Sequence, residues 1–203
     1  MNFQKGKAVQ SKSPLVFIVG FFRSGSSLLE TLLHSHGDIW GLGESSIFRT
    51  LTSQMEEELT FFDPRKEDKT DVRKLKKLVT QYSKKILQDM QKAQLFQYEQ
   101  QLLDVNKEFP SDRTPKKKIV DKLLSNYWIL GLIYMTFPNA IILHTMRDPL
   151  DTLFSCMSNR FGHEKSLFTL EVRALVQEYV LYLDIMDHYR RVLPANRATG
   201  LLA

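Results

Sequence analysis

The sequence predicts an α/β fold, a short central parallel sheet flanked by helices in three layers, and three observations carry this. Leu15 to Val19 is a run of five apolar residues, mostly β-branched or aromatic; a glycine-bounded turn follows, then leucines at 28, 29, 32 and 33. That order is strand, tight loop, amphipathic helix. Ala140 to Leu143 is a second apolar strand, with Arg147-Asp148-Pro149 as its turn and the proline placed to open a helix. Between and beyond these units, apolar residues recur at spacings of three and four, the period of helices that can cover a sheet.

A chain of 203 residues, 43% hydrophobic and 25% charged, can bury the core of one domain. Its net charge of +5, from 28 Lys+Arg against 23 Asp+Glu, suits an anionic ligand, although lysine clusters also make a solvated face. No recognised nucleic-acid motif accompanies that charge, so no nucleic-acid partner is expected. The single cysteine, Cys156, excludes an internal disulfide and reads as a packing thiol. Met1 to Pro14 is polar and lysine-bearing, an expected disordered segment without a secretory signature. No later run approaches a membrane span, so the expectation is no membrane association and a cytoplasmic location.

The turn after the first strand is the informative one. Phe21-Phe22-Arg23-Ser24-Gly25-Ser26-Ser27 leads directly into a helix, whose first N–H groups and positive dipole end favour an anion. Gly25 lets backbone approach an oxyanion, and the hydroxyls of Ser26 and Ser27 add donors. Against the ATP-binding pattern G-x-x-x-x-G-K-[ST], the loop matches at Gly20, Gly25 and Ser27 but has Ser26 in place of lysine. Loss of the group that reaches β and γ phosphates argues against a triphosphate, and Arg23 supplies the cation instead. The fold is therefore of the P-loop type.

Phe21 to Glu30 resembles the 5′-phosphosulfate loop of sulfotransferases, P-R-S-G-T-[ST]-L followed by a helix. These enzymes take a sulfuryl group from 3′-phosphoadenosine 5′-phosphosulfate (PAPS). The resemblance implies PAPS as cosubstrate, no metal, and cosubstrate contacts from Arg23, Ser24, Gly25, Ser26 and Ser27.

Next, His34-Ser35-His36-Gly37-Asp38-Ile39-Trp40-Gly41-Leu42-Gly43-Glu44 reads as a helix end, a glycine stop, a short strand and a second loop. Two histidines at a helix end lack a third metal ligand and read as capping or packing groups. Glu44 lies at the spacing where tyrosylprotein sulfotransferases, and bacterial sulfotransferases with tetratricopeptide repeats, carry a Gly-Glu catalytic base. A carboxylate takes a proton from a hydroxyl acceptor most readily when burial raises its pKa. The other reading is that Glu44 caps a helix opening near Ser45-Ser46.

From about residue 47 to 110 the chain is charged and helical, broken at Asp63-Pro64. Residues 72, 75, 78, 79, 82, 86, 87 and 90 set an apolar stripe for a long helix from Thr70 to about Val105. By resemblance to the repeat-bearing branch this is an insertion over the acceptor site. No internal repeat is visible.

Ser111 to Pro115 is a loop, Ile119-Val120 a strand, and a helix runs from Tyr127 to Phe137 ahead of Pro138. Asp121-Lys122 resembles the family's [DN]-K-x-P segment, with Leu124 in place of proline. Lys122 would contact the transferred group and offset charge on the bridging oxygen. A lysine at the carboxyl end of a strand faces the crevice where α/β sheets bind ligands. The other reading is a surface lysine at a strand end.

Arg147-Asp148-Pro149-Leu150-Asp151, with Ser155 eight positions after the arginine, resembles the family's 3′-phosphate motif, which implies that Arg147 and Ser155 hold that phosphate. Arg160 falls one residue late for a further contact that some tyrosylprotein enzymes make at the position of Asn159. Ser166 to Leu193 reads as one more helix, packing on Leu170, Val172, Leu175, Val176, Tyr179, Leu183 and Met186.

At 195–203 the resemblance ends in a divergent tail, where sulfotransferases continue with another strand and a basic loop over the nucleotide. Residues 15–194 are thus expected to form a sulfotransferase-like domain that is C-terminally truncated, with a sheet edge left open to self-association. The sequence points to sulfuryl transfer from PAPS to a hydroxyl acceptor, whether protein tyrosine, carbohydrate or small molecule. A catalytically inactive nucleotide-binding or scaffolding chain and a P-loop small-molecule kinase stay open as alternatives.

Overall fold

The computed structural model describes residues 15–58, 69–103, 118–159, 168–193 and 201–202. Among these residues five parallel strands form one sheet: β1 (Val16–Gly20), β2 (Ile39–Gly41), β3 (Lys118–Asp121), β4 (Ile141–Thr145) and β5 (Leu201–Leu202), in the order β2-β3-β1-β4-β5. Val16 pairs with Val120 on one side and Ile141 on the other, and Gly20 reaches Thr145. The described residues form six α-helices: α1 (Ser26–His34), α2 (Ile47–Glu58), α3 (Lys69–Leu103), α4 (Leu130–Thr136), α5 (Pro149–Met157) and α6 (Val172–Val192).

Side chains alternate across a strand, so β1 feeds two cores. Val16 and Ile18 join Val120 and Leu29 beneath α1, with Leu33 and Leu143 partly buried against them. Phe17 and Val19 point the other way into the larger core, where α2, α3, α4 and α6 contribute Phe48, Ile86, Ile133 and Tyr182. The result is helix, sheet, helix, in three layers as the sequence predicts. The chain leaves β1 for the edge strand β2, whereas β5 lies on the far side of β4. The carboxyl ends of neighbouring β1 and β4 therefore flank a topological switch point, the place where open α/β sheets bind ligands.

Four sequence expectations need correction. Leu28 and Leu32 of α1 stay 66% and 61% exposed, and only Leu29 and Leu33 pack. A nine-residue helix covers a strip of sheet narrower than its apolar arc. The helix expected from Tyr127 begins as a 3-10 turn at Leu124–Ile129 before α4. The last long helix starts at Val172, because the Glu171 carboxylate accepts from the N–H groups of Arg173 (2.9 Å) and Ala174 (2.6 Å) and so caps it there. Leu170, Val172 and Val176 are consequently exposed, and Tyr182 takes a place in the stripe. In the tail, where the sequence reading placed no strand, Leu201 and Leu202 pair with His144 and Thr145. The readings of Met1–Pro14, Asp63-Pro64, Ser111–Pro115 and Arg160 fall outside the described residues.

Candidate functional site

The turn after β1 is held by its backbone and by β4. Arg23 adopts φ 65° and Gly25 φ 89°, both left-handed, which folds the loop back before α1. A Cβ on Gly25 would meet no heavy atom within 4 Å among the described residues, so the loop's face is open to an approaching group. The first bond of the helix ladder runs from Leu29 N–H to Gly25 C=O (3.1 Å), which leaves the N–H groups of Ser26, Ser27 and Leu28 ahead of it. Ser24 is turned inward: its hydroxyl lies 2.7 Å from that of Thr145. Thr145 donates to Val19 C=O (3.3 Å), so Ser24 is the donor in the pair. A Cβ on Gly20 would stand 2.5 Å from Thr145 Oγ1, and only glycine lets β1 and β4 meet this closely.

Across the switch point, Asp148 caps α5 by accepting from the N–H groups of Leu150 (2.9 Å) and Asp151 (3.1 Å). Arg147 and Asp151 form an exposed ion pair at 3.1 Å. Two turns into α5, the Ser155 hydroxyl accepts from Arg23 Nε at 3.0 Å. Its neighbour Cys156 is fully buried, donates to Phe22 C=O at 3.6 Å, and has its thiol pushed up to about 11 by burial. It is a packing thiol.

A second cluster sits at the end of β3. Lys122 is buried, and its Nζ lies 2.9 Å from Glu44 Oε1 and 3.8 Å from Glu30 Oε2. Glu44 itself is 64% exposed, so the burial expected of a base is corrected: its environment is the Lys122 ammonium. It does not take the capping role either, since Ile47 N–H donates to Ser45 Oγ (3.3 Å). Asp121, beside Lys122, is buried with Oδ2 unpartnered; burial pushes its carboxyl up to about 7, and the Glu30 charge adds to this. Its Oδ1 accepts from Leu123 N–H at 3.0 Å and thereby shapes the loop after Lys122.

Arg23 and Ser155 thus meet, as do Lys122 and Glu44, and both groups lie at the carboxyl ends of the adjacent strands β3, β1 and β4. Arg147 is near Ser155 in the chain, but the partner of its guanidinium is Asp151. His34 and His36 serve as acceptors for the N–H groups of Gly41 (3.0 Å) and Asp38 (3.2 Å). Sequence reading missed Thr145 and Glu30. A threonine ending a strand beside a glycine could have flagged the first; nothing local marked the second.

The sequence profile described as Sulfotransferase family matches residues 14–199. A protein of Aquifex aeolicus (strain VF5), described as "Uncharacterized protein", is 27% identical over 199 residues, which is 95% of this chain and 23% of that protein. The chain therefore spans less than a quarter of the length of that curated relative.

Proposed function

The chain belongs to the sulfotransferase family, and from that premise we propose that it transfers a sulfuryl group from PAPS to a hydroxyl acceptor. Residues 15–194 act as the domain in this reading, within the branch close to tetratricopeptide-associated and protein-tyrosine enzymes, and the helical insertion at about 47–110 borders the acceptor. The observation that carries the proposal is the Arg23 to Ser155 hydrogen bond, which joins two anion-binding motifs over the switch point. An open glycine face, unladdered amides and a guanidinium fit a ligand with phosphate or sulfate at one end. Arg147 and Ser155 fit the second anionic end.

PAPS supplies an activated sulfuryl group whose transfer leaves 3′-phosphoadenosine 5′-phosphate. Glu44 takes the proton of the acceptor hydroxyl as that oxygen bonds to sulfur. Lys122 and Arg23 offset the charge that gathers on the departing phosphate oxygen. Backbone amides of Ser26, Ser27 and Leu28 hold the phosphosulfate, with the hydroxyls of Ser26 and Ser27 beside them. Arg147 orients the nucleotide, its exposed pair with Asp151 being weak enough to exchange for phosphate. No helix among the described residues is long and apolar enough to cross a membrane; a cytoplasmic site of action, and self-association through the sheet edge, are further parts of the proposal.

Calorimetric titration with 3′-phosphoadenosine 5′-phosphate, beside ATP with magnesium and the Arg147→Ala variant, tests the reading. Binding of the bisphosphate alone, lost in the variant, supports it. A folded chain that ignores the bisphosphate or prefers ATP overturns it.

A further inference from the structure

Glu30 touches both Lys122 and the backbone directly before Glu44. It lies on α1, and its Oε1 accepts from Gly43 N–H at 2.7 Å, directly before Glu44. Oε2 is 3.8 Å from Lys122 Nζ. The backbone at the end of β2 presses against the same carboxylate, since a Cβ on Gly41 would stand 2.9 Å from Oε1 and 3.1 Å from Cγ. Gly43 is held from the other side as well: its C=O accepts from Lys122 N–H at 3.0 Å, and its φ of 72° turns the chain toward Glu44.

We infer that Glu30 is a positioning residue, which keeps Lys122 and the Gly43-Glu44 turn in place while Glu44 gains its proton. The inference rests on the sulfotransferase reading above. A base that accepts a proton loses its charge, and with it the attraction that holds its cation. Lys122, paired only to Glu44, would be released as charge builds on the departing oxygen. Glu30 receives no proton in this step, so the buried ammonium keeps one anionic partner throughout. Its second oxygen meanwhile fixes the Gly43 amide, so the turn carrying the base cannot drift from the lysine. The same carboxylate links α1, which begins at the phosphosulfate loop, to both catalytic groups.

Two variants separate the two bonds. Glu30→Gln keeps an oxygen for Gly43 N–H but removes the charge opposite Lys122; Glu30→Ala removes both. Backbone hydrogen exchange at Gly43 and Glu44 reads the tether without any substrate. Protection should be close to wild type in Glu30→Gln and fall about tenfold or more in Glu30→Ala, the loss expected for a hydrogen bond to a charged group. In transfer assays Glu30→Gln should lose about 10- to 100-fold in kcat, the scale of a misplaced catalytic group, while its KM for PAPS stays within about twofold. Unchanged exchange in Glu30→Ala overturns the tether, and an unchanged kcat in Glu30→Gln overturns the anchoring of Lys122. A wild-type chain that binds no bisphosphate ends the sulfotransferase reading instead, and the exchange measurement still decides whether Glu30 holds the turn.

Discussion

Arg23 Nε donates to Ser155 Oγ at 3.0 Å, although 132 positions separate the two residues. The bond fixes the one loop cation that the helix dipole does not itself supply. Because Arg23 is exposed and already in a left-handed conformation, its guanidinium depends on this serine for direction. Ser155→Ala should weaken bisphosphate binding about tenfold, the scale of a hydrogen bond to a charged group, and shift Tm little. Calorimetry beside a thermal melt checks this; unchanged affinity would mean that the bond is incidental.

Arg147 gives a sharper contrast between stability and binding. Its ion pair with Asp151 has 47% and 61% of the two side chains exposed, and such a helix pair contributes only about 0.3–0.5 kcal/mol. Arg147→Ala is therefore expected to melt within a degree or two of wild type and to lose measurable bisphosphate affinity. A large drop in Tm would make the arginine a structural staple.

Two buried titratable groups set opposing pH slopes. The Asp121 carboxyl rises from 3.8 to about 7, chiefly through burial. Between those values the folded chain holds a proton that the unfolded chain releases, so this contribution is full below about pH 4 and declines as pH rises to about 7. His144, bonded to Tyr182, falls from 6.5 to about 4 through burial, with the Arg190 charge adding to it. The unfolded chain takes up the proton there, so this contribution is full above pH 6.5 and declines as pH falls toward 4. Asp121→Asn removes only the first slope. Its stability relative to wild type should grow from pH 4.5 to pH 7.5 by about 1.4 kcal/mol for each unit of the lost shift. Urea melts at the two pH values measure it, and a pH-independent difference would refute a neutral buried Asp121.

Much of this architecture is legible in the residues. β1 is a buried run and β4 a partly buried one with no polar interruption until His144, and each loop that follows carries its proposed anion-binding residues within about ten positions, so strand, turn and motif are read together. Glu30 could not be read this way. A glutamate in the second turn of a helix looks like any solvated face, and its partners Gly43 and Lys122 become neighbours only once β2 and β3 pair in register. Glu44 is singled out by the family resemblance, yet its exposure is set by how β2 ends, which no local pattern encodes. The start of α6 was misplaced because apolar residues at 170 and 172 suggested continued packing, while the Glu171 carboxylate fixes the boundary. β5 is two residues long, too short for any periodicity to show.

Gly20 tests how closely β1 and β4 are joined beneath the site. An alanine Cβ would stand 2.5 Å from Thr145 Oγ1 and 2.7 Å from Thr145 C=O, and the latter is backbone that cannot swing aside. Gly20→Ala should destabilise the chain by about 1–3 kcal/mol, the usual range for overpacking. The Ser24 to Thr145 bond depends on the same approach, so bisphosphate affinity should fall with stability. Thr145→Ala, which removes the hydroxyl nearest the new Cβ, should recover part of the stability in the double variant; no recovery would place the strain at the Thr145 carbonyl.

Gln97 shows what the long helix α3 does for the site. Its Oε1 accepts from Trp40 Nε1–H at 2.9 Å, and its Nε2 donates to Leu42 C=O at 3.2 Å, so one amide clamps β2 and the residue before Gly43. Trp40 is buried, and Gln97→Leu removes this hydrogen bond, at a cost of about 0.5–1.5 kcal/mol. For a domain of this size that is a fall of about 2–4 °C in Tm per kcal/mol. The clamp acts on the turn that carries Glu44 and not on the loop at Arg23 or the helix at Ser155. The variant should therefore lose kcat while its bisphosphate affinity stays within about twofold, because the distance from base to lysine loosens and the anion sites do not. Equal loss in both would make α3 a general scaffold of the domain; loss in kcat alone would make it the outer support of the catalytic turn, opposite Glu30 on α1.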